Sequence, residues 1–320
     1  MHKVIITDFA VATPDIEKAI LEPLGCEVVC GQCKTAEEVI ALASDADGVI
    51  TGLAPVNAQA IAAMTRVRVI VRYGVGVDNV DIAAAAAKKI PVCNVPDYCV
   101  NEVADHTLAL TLALTRQIAS SWDVIRAGAW KLALPLAEMR TLRDQAAGIV
   151  GFGRIGREVA ARLQAFKCRV SVFDPVVDPA VIRKAGCLPV DFNTLLATSD
   201  IISLHCPSTP KTRGMINRDT LAKMKKGALF INASRGDLVN TADLIAALND
   251  GNLAGAALDV TNPEPIPTDS PLLKMKNVVI TPHAAAASLM AIQTVRSSAA
   301  KTVACALRGE KLPNVVNGVG

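Results

Sequence analysis

Three polar residues in the last third of the chain have types suited to one kind of chemistry. Arg235 lies in the stretch FINASRGD (230–237), Glu264 in LDVTNPEP (258–265) and His283 in ITPHA (280–284). A guanidinium can hold a carboxylate through two parallel hydrogen bonds. An imidazole that titrates near neutrality can pass a proton to or from a hydroxyl. A carboxylate bonded to such an imidazole fixes its ring and favours its charged form. Taken singly, each has a plainer reading: a turn cation, a solvated loop acid, a capped core histidine. Chemistry requires a second reactant and a fold that brings the three stretches together.

The second reactant is suggested by GFGRIG at 151–156. This G-x-G-x-x-G follows an apolar strand-like run and opens an amphipathic helical one. In that setting Gly151 permits a tight turn and Gly153 lets a pyrophosphate approach the backbone. Gly156 lets the helix pack on the strand. Amides at the helix start, including those of Arg154 and Ile155, then favour phosphates. The next strand ends in Asp174, 23 residues beyond Gly151. An acid there accepts bonds from a ribose and repels a 2′-phosphate, which predicts NAD over NADP. With Arg235, Glu264 and His283, the loop suits a 2-hydroxy acid that gives its hydroxyl proton to His283 and its C2 hydride to nicotinamide.

These residues need strands that end together. Residues 1–94 alternate strand candidates (4–7, 27–29, 48–51, 69–72, 92–94) with helix candidates (15–21, 35–44, 57–64, 81–88). Thr35 and Glu38 form a capping box. A second series has strands at 147–151, 169–173, 200–204, 228–231, 255–258 and 278–281, with helices at 155–166, 178–185, 193–198 and 241–248. A last helix spans 288–307. Such alternation predicts an α/β protein with two doubly wound parallel sheets. Between the series, 101–116 reads as a helix apolar nearly all round, buried either in a core or in a subunit interface; a homodimer interface and a domain crossover are the favoured reading.

Composition narrows the alternatives. The 320 residues are 51% hydrophobic and 3% aromatic, so Ala, Val, Ile and Leu must fill the cores. A net charge of +3 suggests neither nucleic acid nor an acidic membrane surface as partner. No apolar run reaches the roughly 18–20 residues of a spanning helix. The start has no long apolar run and meets Asp8 early, so a signal peptide is not expected. Nine cysteines fit a reducing cytoplasm with free thiols.

Taken together, the stretches RYGVGVDN (72–79), NVPDYCVNEVADH (94–106), the glycine loop, LHCPSTPKTRGMIN (204–217), NASRG (232–236), LDVTNPEP and TPHA carry a resemblance. The sequence resembles the D-isomer-specific 2-hydroxyacid dehydrogenases over essentially its whole length. It is most similar to the branch containing the C-terminal binding protein corepressors and their phosphoglycerate dehydrogenase-like bacterial relatives. The resemblance implies a flavodoxin-like substrate domain (1–98 plus 284–320), a Rossmann NAD-binding domain (99–283) and an active site in the cleft of this clamp. It implies that Arg235, Glu264 and His283 are catalytic. It implies that the amides of Val75 and Gly76 hold the substrate carboxylate, with Leu53 and Tyr73 nearby. Asp259 would meet the nicotinamide amide, Pro207 the adenine, and Thr212 and Ala233 the rest of the cofactor. No metal is implied.

Some positions depart from the family. Thr261 and Asn262 follow Asp259-Val260, so the loop before Glu264 is expected to differ. Tyr73 replaces a common Ala. TGLAP (51–55) lacks the arginine of phosphoglycerate-type members, which disfavours a phosphorylated substrate. The chain ends at Gly320, so neither a regulatory domain nor a Ser/Pro-rich tail is expected. The resemblance leaves one alternative to an enzyme, an NADH-sensing dimeric interaction protein with little turnover. Cys26, Cys30 and Cys33 have the C-x3-C-x2-C spacing of an iron–sulfur loop. With a complete site elsewhere, the spacing reads as coincidence. His106 and His205 are expected to pack or hydrogen-bond rather than react.

Overall fold

The computed structural model describes residues 1–8, 13–143 and 145–319. Among the described residues, twelve strands and twelve α-helices follow in chain order: β1 (His2–Ile6), α1 (Asp15–Leu21), β2 (Cys26–Cys30), α2 (Ala36–Ala43), β3 (Gly48–Thr51), α3 (Ala58–Ala63), β4 (Ile70–Arg72), α4 (Ile82–Ala87), β5 (Val92–Cys93), α5 (Val100–Thr115), α6 (Ile118–Arg126), β6 (Ala146–Val150), α7 (Arg154–Ala165), β7 (Arg169–Phe173), α8 (Pro179–Lys184), β8 (Leu188–Pro189), α9 (Phe192–Thr198), β9 (Ile201–Leu204), α10 (Arg218–Ala222), β10 (Ala228–Asn232), α11 (Thr241–Asn249), β11 (Leu253–Leu258), β12 (Val278–Ile280) and α12 (Leu289–Arg308). They form two compact units, residues 1–99 with 288–320 and residues 100–287.

The first unit holds a parallel sheet of order β2-β1-β3-β4-β5, the flavodoxin-like doubly wound order. Successive side chains of a strand face opposite ways. Val4, Ile6, Ile50 and Val71 pack with Leu21 and α12, while Ile5, Val49, Ile70 and Val92 pack with α2 and α3. The capping box on α2 is present, and Ser288 caps α12 through the Ala291 amide. The same alternation separates the three cysteines. Cys26 and Cys30 pack on the α12 face and Cys33 on the other, so the thiols do not converge. Burial raises all three above the usual thiol range, which favours the inert thiol over the thiolate.

The second unit holds a parallel sheet of order β12-β11-β10-β9-β6-β7-β8. The order reverses between β6 and β9, the point where such sheets bind ligands. One face carries Ile149, Val172, Ile201 and Ile231 under α5 and α7, and the other carries Val150, Ile202, Phe230 and Leu258 under α9 and α11.

Two features add to the sequence expectations. Helix α5, apolar nearly all round, packs Ala104, Leu110 and Leu114 into the core of its own unit, with Leu108 and Leu112 against the same cluster. Thr107, Thr111 and Thr115 are also buried, each hydroxyl bonding the carbonyl four residues back. The second feature is α6, a helix not anticipated, in which no residue is buried. Among the described residues, no helix is long and apolar enough to cross a membrane.

Candidate active site

In the second unit, β6 runs into the glycine loop. Gly151 has φ +96°, and a Cβ there would lie 2.7 Å from the Cys206 amide nitrogen. A Cβ on Gly156 would strike the Gly151 carbonyl, so that glycine serves the close approach of α7 to the strand. Gly153 is different, since a Cβ there would meet nothing within 4 Å. Its bare backbone is not required by packing and leaves room for a ligand. Helix α7 also lacks a side-chain cap, whereas Thr35, Asn57, Asp81, Asp178, Asp191, Asn217, Asn240 and Ser288 cap other helices. Its leading amides, beside exposed Arg154 and half-buried Ile155, suit a diphosphate. The loop therefore fits the dinucleotide its sequence implies.

Asp174 braces that loop. Its Oδ2 accepts from the Phe152 amide at 2.7 Å, and its Oδ1 accepts from Val176 and Val177 at 2.8 and 3.0 Å. Burial works against its charge, but these amides and Arg157 outweigh burial and hold the carboxyl below its usual range. It therefore stays anionic at neutral pH. Asp174→Asn is predicted to weaken NADH binding about 10–100-fold and to narrow the preference over NADPH, because charge-assisted bonds contribute roughly 1.5–3 kcal/mol. Fluorescence titration with both nucleotides checks this.

The segment after β9 folds back on itself. The Thr212 hydroxyl donates to the Pro207 carbonyl at 2.7 Å and accepts from the Thr209 amide at 2.8 Å. His205, next to it, bonds Ser203 at 2.8 Å, and burial pushes its pKa down to about 4. It is neutral at physiological pH, consistent with a packing role.

The three chemical residues follow neighbouring strands. Asn232, Leu258 and Ile280 are in register at the ends of β10, β11 and β12, so the segments after them begin side by side. Ala233 lies in the turn after β10, where Asn232 Nδ2 donates to the Arg235 carbonyl at 2.8 Å. A Cβ on Gly236 would collide with the Thr261 carbonyl, so the Arg235 turn lies directly against the loop of Glu264. In that loop the Thr261 hydroxyl donates to the Pro263 carbonyl at 2.9 Å. The Thr261 amide approaches Glu264 Oε2 at 3.4 Å. The unusual Thr261 thus closes the loop locally and leaves Glu264 in place.

Glu264 Oε1 lies 2.6 Å from His283 Nδ1. A carboxylate offers only lone pairs, so Nδ1–H donates and Nε2 is left for a ligand. The His283 side chain is 38% exposed, accessible without being loose. Its backbone has φ +53°, the left-handed region, which costs a non-glycine residue of order 1–3 kcal/mol. The neighbouring Asp259 is 2% exposed. Its carbonyl accepts from the His283 amide at 2.8 Å, and its carboxylate accepts from Thr281 Oγ1 and the Ala284 and Ala285 amides at 2.6, 2.8 and 3.0 Å. His106 Nε2, on α5, lies 2.9 Å from Thr281 Oγ1.

The first unit carries the remaining sequence-predicted residues. Asp8 accepts from the amides of Gly52, Leu53 and Ala54 at 2.9, 2.6 and 3.2 Å, which leaves the Leu53 side chain 72% exposed. The segment after β4 is held by Asn94 Nδ2, which donates to the Val75 carbonyl at 2.6 Å, and by the Val95 amide, which donates to Gly74. Val75 and Gly76 are half-buried. Tyr73 was expected to line the substrate pocket. Its hydroxyl instead donates to Glu17 Oε1 at 2.6 Å, inside a cluster with Arg296. Asp8, Glu17, Arg296 and Thr281 support the site segments, and sequence spacing gives no sign of them because their partners are far along the chain.

The sequence model described as the D-isomer specific 2-hydroxyacid dehydrogenase NAD binding domain matches residues 108–285. The chain is 40% identical over 281 residues to a D-3-phosphoglycerate dehydrogenase of Mycobacterium leprae, covering 88% of this chain and 53% of that one. It therefore spans about half the length of that relative. A glyoxylate reductase of Korarchaeum cryptofilum is 37% identical over 297 residues, covering 92% of this chain and 87% of the relative. Among solved structures, the TT0316 protein of Thermus thermophilus superposes with a TM-score of 0.88 at 34% identity, covering 98% of this chain and 99% of that one. With the glycine loop, the braced Asp174 and the Glu264–His283 pair in one unit, the chain belongs to the D-isomer specific 2-hydroxyacid dehydrogenase family and carries that family's NAD-binding domain.

Proposed function

We propose that this chain is an NAD-dependent oxidoreductase that interconverts a small D-2-hydroxy acid and the corresponding 2-oxo acid. The observation that carries the proposal is the His283–Glu264 contact at 2.6 Å, beside the Arg235 turn. A nicotinamide held by the glycine loop and Asp174 would supply or accept the hydride at C2 of the substrate. In the oxidation direction, His283 Nε2 takes the hydroxyl proton while Glu264 stabilises the resulting imidazolium. Arg235 orients the carboxylate and polarises the C2 oxygen. The amides of Val75 and Gly76 are assigned to the same carboxylate. Asp174 receives the ribose hydroxyls, Asp259 the nicotinamide amide, and Pro207, Thr212 and Ala233 line the rest of the nucleotide. The D configuration follows the family.

The 51–55 stretch has no Arg or Lys, so small unphosphorylated 2-oxo acids are favoured over phosphohydroxypyruvate. The test is oxidation of NADH, and separately of NADPH, with glyoxylate, pyruvate, hydroxypyruvate, phosphohydroxypyruvate and larger 2-oxo acids. Turnover with NADH on one of them supports the reading. Tight NADH binding, no turnover and an oligomer mass that responds to NADH support an NADH-sensing role instead. The nine free cysteines accord with a reducing cytoplasm.

A homodimer through the 101–116 helix is also proposed, with α6 and the stretch after it as a further part of its surface. Ile118, Trp122 and Ile125 lie on one side of α6, and Trp130, Leu132 and Leu136 follow in the same exposed stretch. Trp130 is 94% and Leu136 77% exposed. These side chains offer on the order of 800 Å² of largely apolar surface, the share one partner contributes to a standard interface. Such a patch is unusual on a monomer. Trp122→Glu with Leu136→Glu is predicted to halve the mass seen by sedimentation. A wild-type chain that is monomeric at micromolar concentration contradicts this.

A further inference from the structure

His283 holds a left-handed backbone conformation, and an interaction chain separate from the Glu264 contact reaches its backbone. Thr281 and Asp259 occupy equivalent places just past β12 and β11, and the Thr281 amide donates to the Leu258 carbonyl at 3.0 Å. The Thr281 hydroxyl has one proton, and its 2.6 Å partner Asp259 Oδ1 is a carboxylate, so the proton goes there. The hydroxyl can then only accept from His106, 2.9 Å away, so His106 Nε2 must carry a hydrogen. That nitrogen also lies 3.4 Å from Asp259 Oδ1. Asp259 in turn holds the amides of Ala284 and Ala285 with its side chain and that of His283 with its carbonyl. The bonds thus run from α5, through Thr281 and Asp259, to both sides of His283.

We infer that His106, Thr281 and Asp259 form a positioning relay that fixes the backbone of His283 and so keeps Nδ1 on Glu264 and Nε2 on the substrate. His106 touches no reacting atom in this scheme. It acts through Thr281, which sets its rotamer and keeps the Asp259 carboxylate turned toward the 281–285 turn. The inference rests on the catalytic assignment of His283 for its kinetic consequences, but the geometry it describes can be read without turnover.

The test compares Thr281→Val, which keeps shape and loses the hydroxyl, with Thr281→Ser, which keeps the hydroxyl. His106→Leu is compared with His106→Gln, whose amide can donate from nearly the same place. In the NADH complex, Thr281→Val and His106→Leu are expected to lower kcat about 10²-fold, the scale of a small misplacement of a catalytic group, with KM and NADH affinity within about threefold. Thr281→Ser and His106→Gln are expected to recover most of kcat. A separate readout is the downfield Nδ1 proton of His283, assigned by its loss in His283→Gln. It should disappear in Thr281→Val and persist in Thr281→Ser. Wild-type kcat and an intact Nδ1 proton in Thr281→Val would overturn the relay, as would equal loss in the Val and Ser variants. If no 2-oxo acid is turned over by the wild type, the catalytic reading fails, and the proton signal alone decides the relay.

Discussion

His283→Gln is expected to lower kcat by about 10²–10⁴-fold while NADH binds with nearly wild-type affinity. Glutamine is similar in length and remains able to hydrogen-bond, so the turn and its contact with Glu264 are disturbed little. What it lacks is a ring nitrogen that can both take up and release a proton. The nucleotide loop, built from residues 151–156 and Asp174, does not use His283 and should be unaffected. Arg235→Leu should differ in kind. It removes the carboxylate clamp, so KM for the 2-oxo acid rises together with a fall in kcat. Steady-state kinetics alongside NADH fluorescence titration separate the two. Undiminished kcat in His283→Gln would remove the residue from the mechanism.

Arg296→Met is expected to destabilise the first unit by about 3–5 kcal/mol at neutral pH, because it strands a buried charge. Glu17 is 1% exposed, and Arg296 reaches it through two bonds, Nε to Oε1 at 2.8 Å and Nη2 to Oε2 at 2.6 Å. Arg296 lies on α12 and Glu17 on α1, so the fork fastens the last helix to the first. Burial alone would raise the Glu17 pKa, but the bonds from Arg296 and Tyr73 outweigh it and keep the carboxyl below its usual range. A depressed carboxyl contributes stability that is present above its unfolded value and is lost as pH falls through the folded one. In Arg296→Met burial dominates, Glu17 favours its proton, and acid relieves the variant. The deficit should therefore be largest at about pH 7.5 and shrink toward about pH 5. Denaturant unfolding at both values checks this, and a deficit below about 1 kcal/mol at neutral pH would show that the pair is not the fastener described.

What the sequence disclosed, and what it did not, follows from the range of each interaction. Local signals were readable. Thr35 with Glu38, Asp178 before Pro179, and Ser288 all start helices where their types predict. The strands at 48–51 and 169–173 stand out as apolar runs and appear as Gly48–Thr51 and Arg169–Phe173. Short or unpartnered elements were less visible. Strand β8 is two residues long and contains a proline, and α10 is five residues long. Helix α6 has apolar residues at helical spacing, yet no core in its own unit claims them. Helix α5 is apolar nearly all round, a pattern that suits core and interface alike, and only packing shows which of its residues the unit's own core takes.

The site follows the same rule. Arg235, Glu264 and His283 lie in recognisable stretches, and the order of β10, β11 and β12 brings those stretches together. The groups that hold them were hidden by distance along the chain. The His106–Thr281 bond spans 175 residues and the Arg296–Glu17 pair 279, so no local spacing encodes either. Tyr73 shows the same limit. A tyrosine after a strand near a substrate loop reads as a pocket wall, and its bond to a buried acid 56 residues away is not legible in the sequence.

The most direct test of the central claim follows the hydrogen itself. The protein would be supplied with NADH deuterated at C4 of the nicotinamide, one face at a time, and with the 2-oxo acid that it turns over fastest. Mass spectrometry of the product should show one deuterium at C2 from only one of the two labelled cofactors, and chiral separation should show the D isomer. Product without the label from either cofactor, or no product from any 2-oxo acid, would contradict the assignment of Arg235, Glu264 and His283 to this reaction.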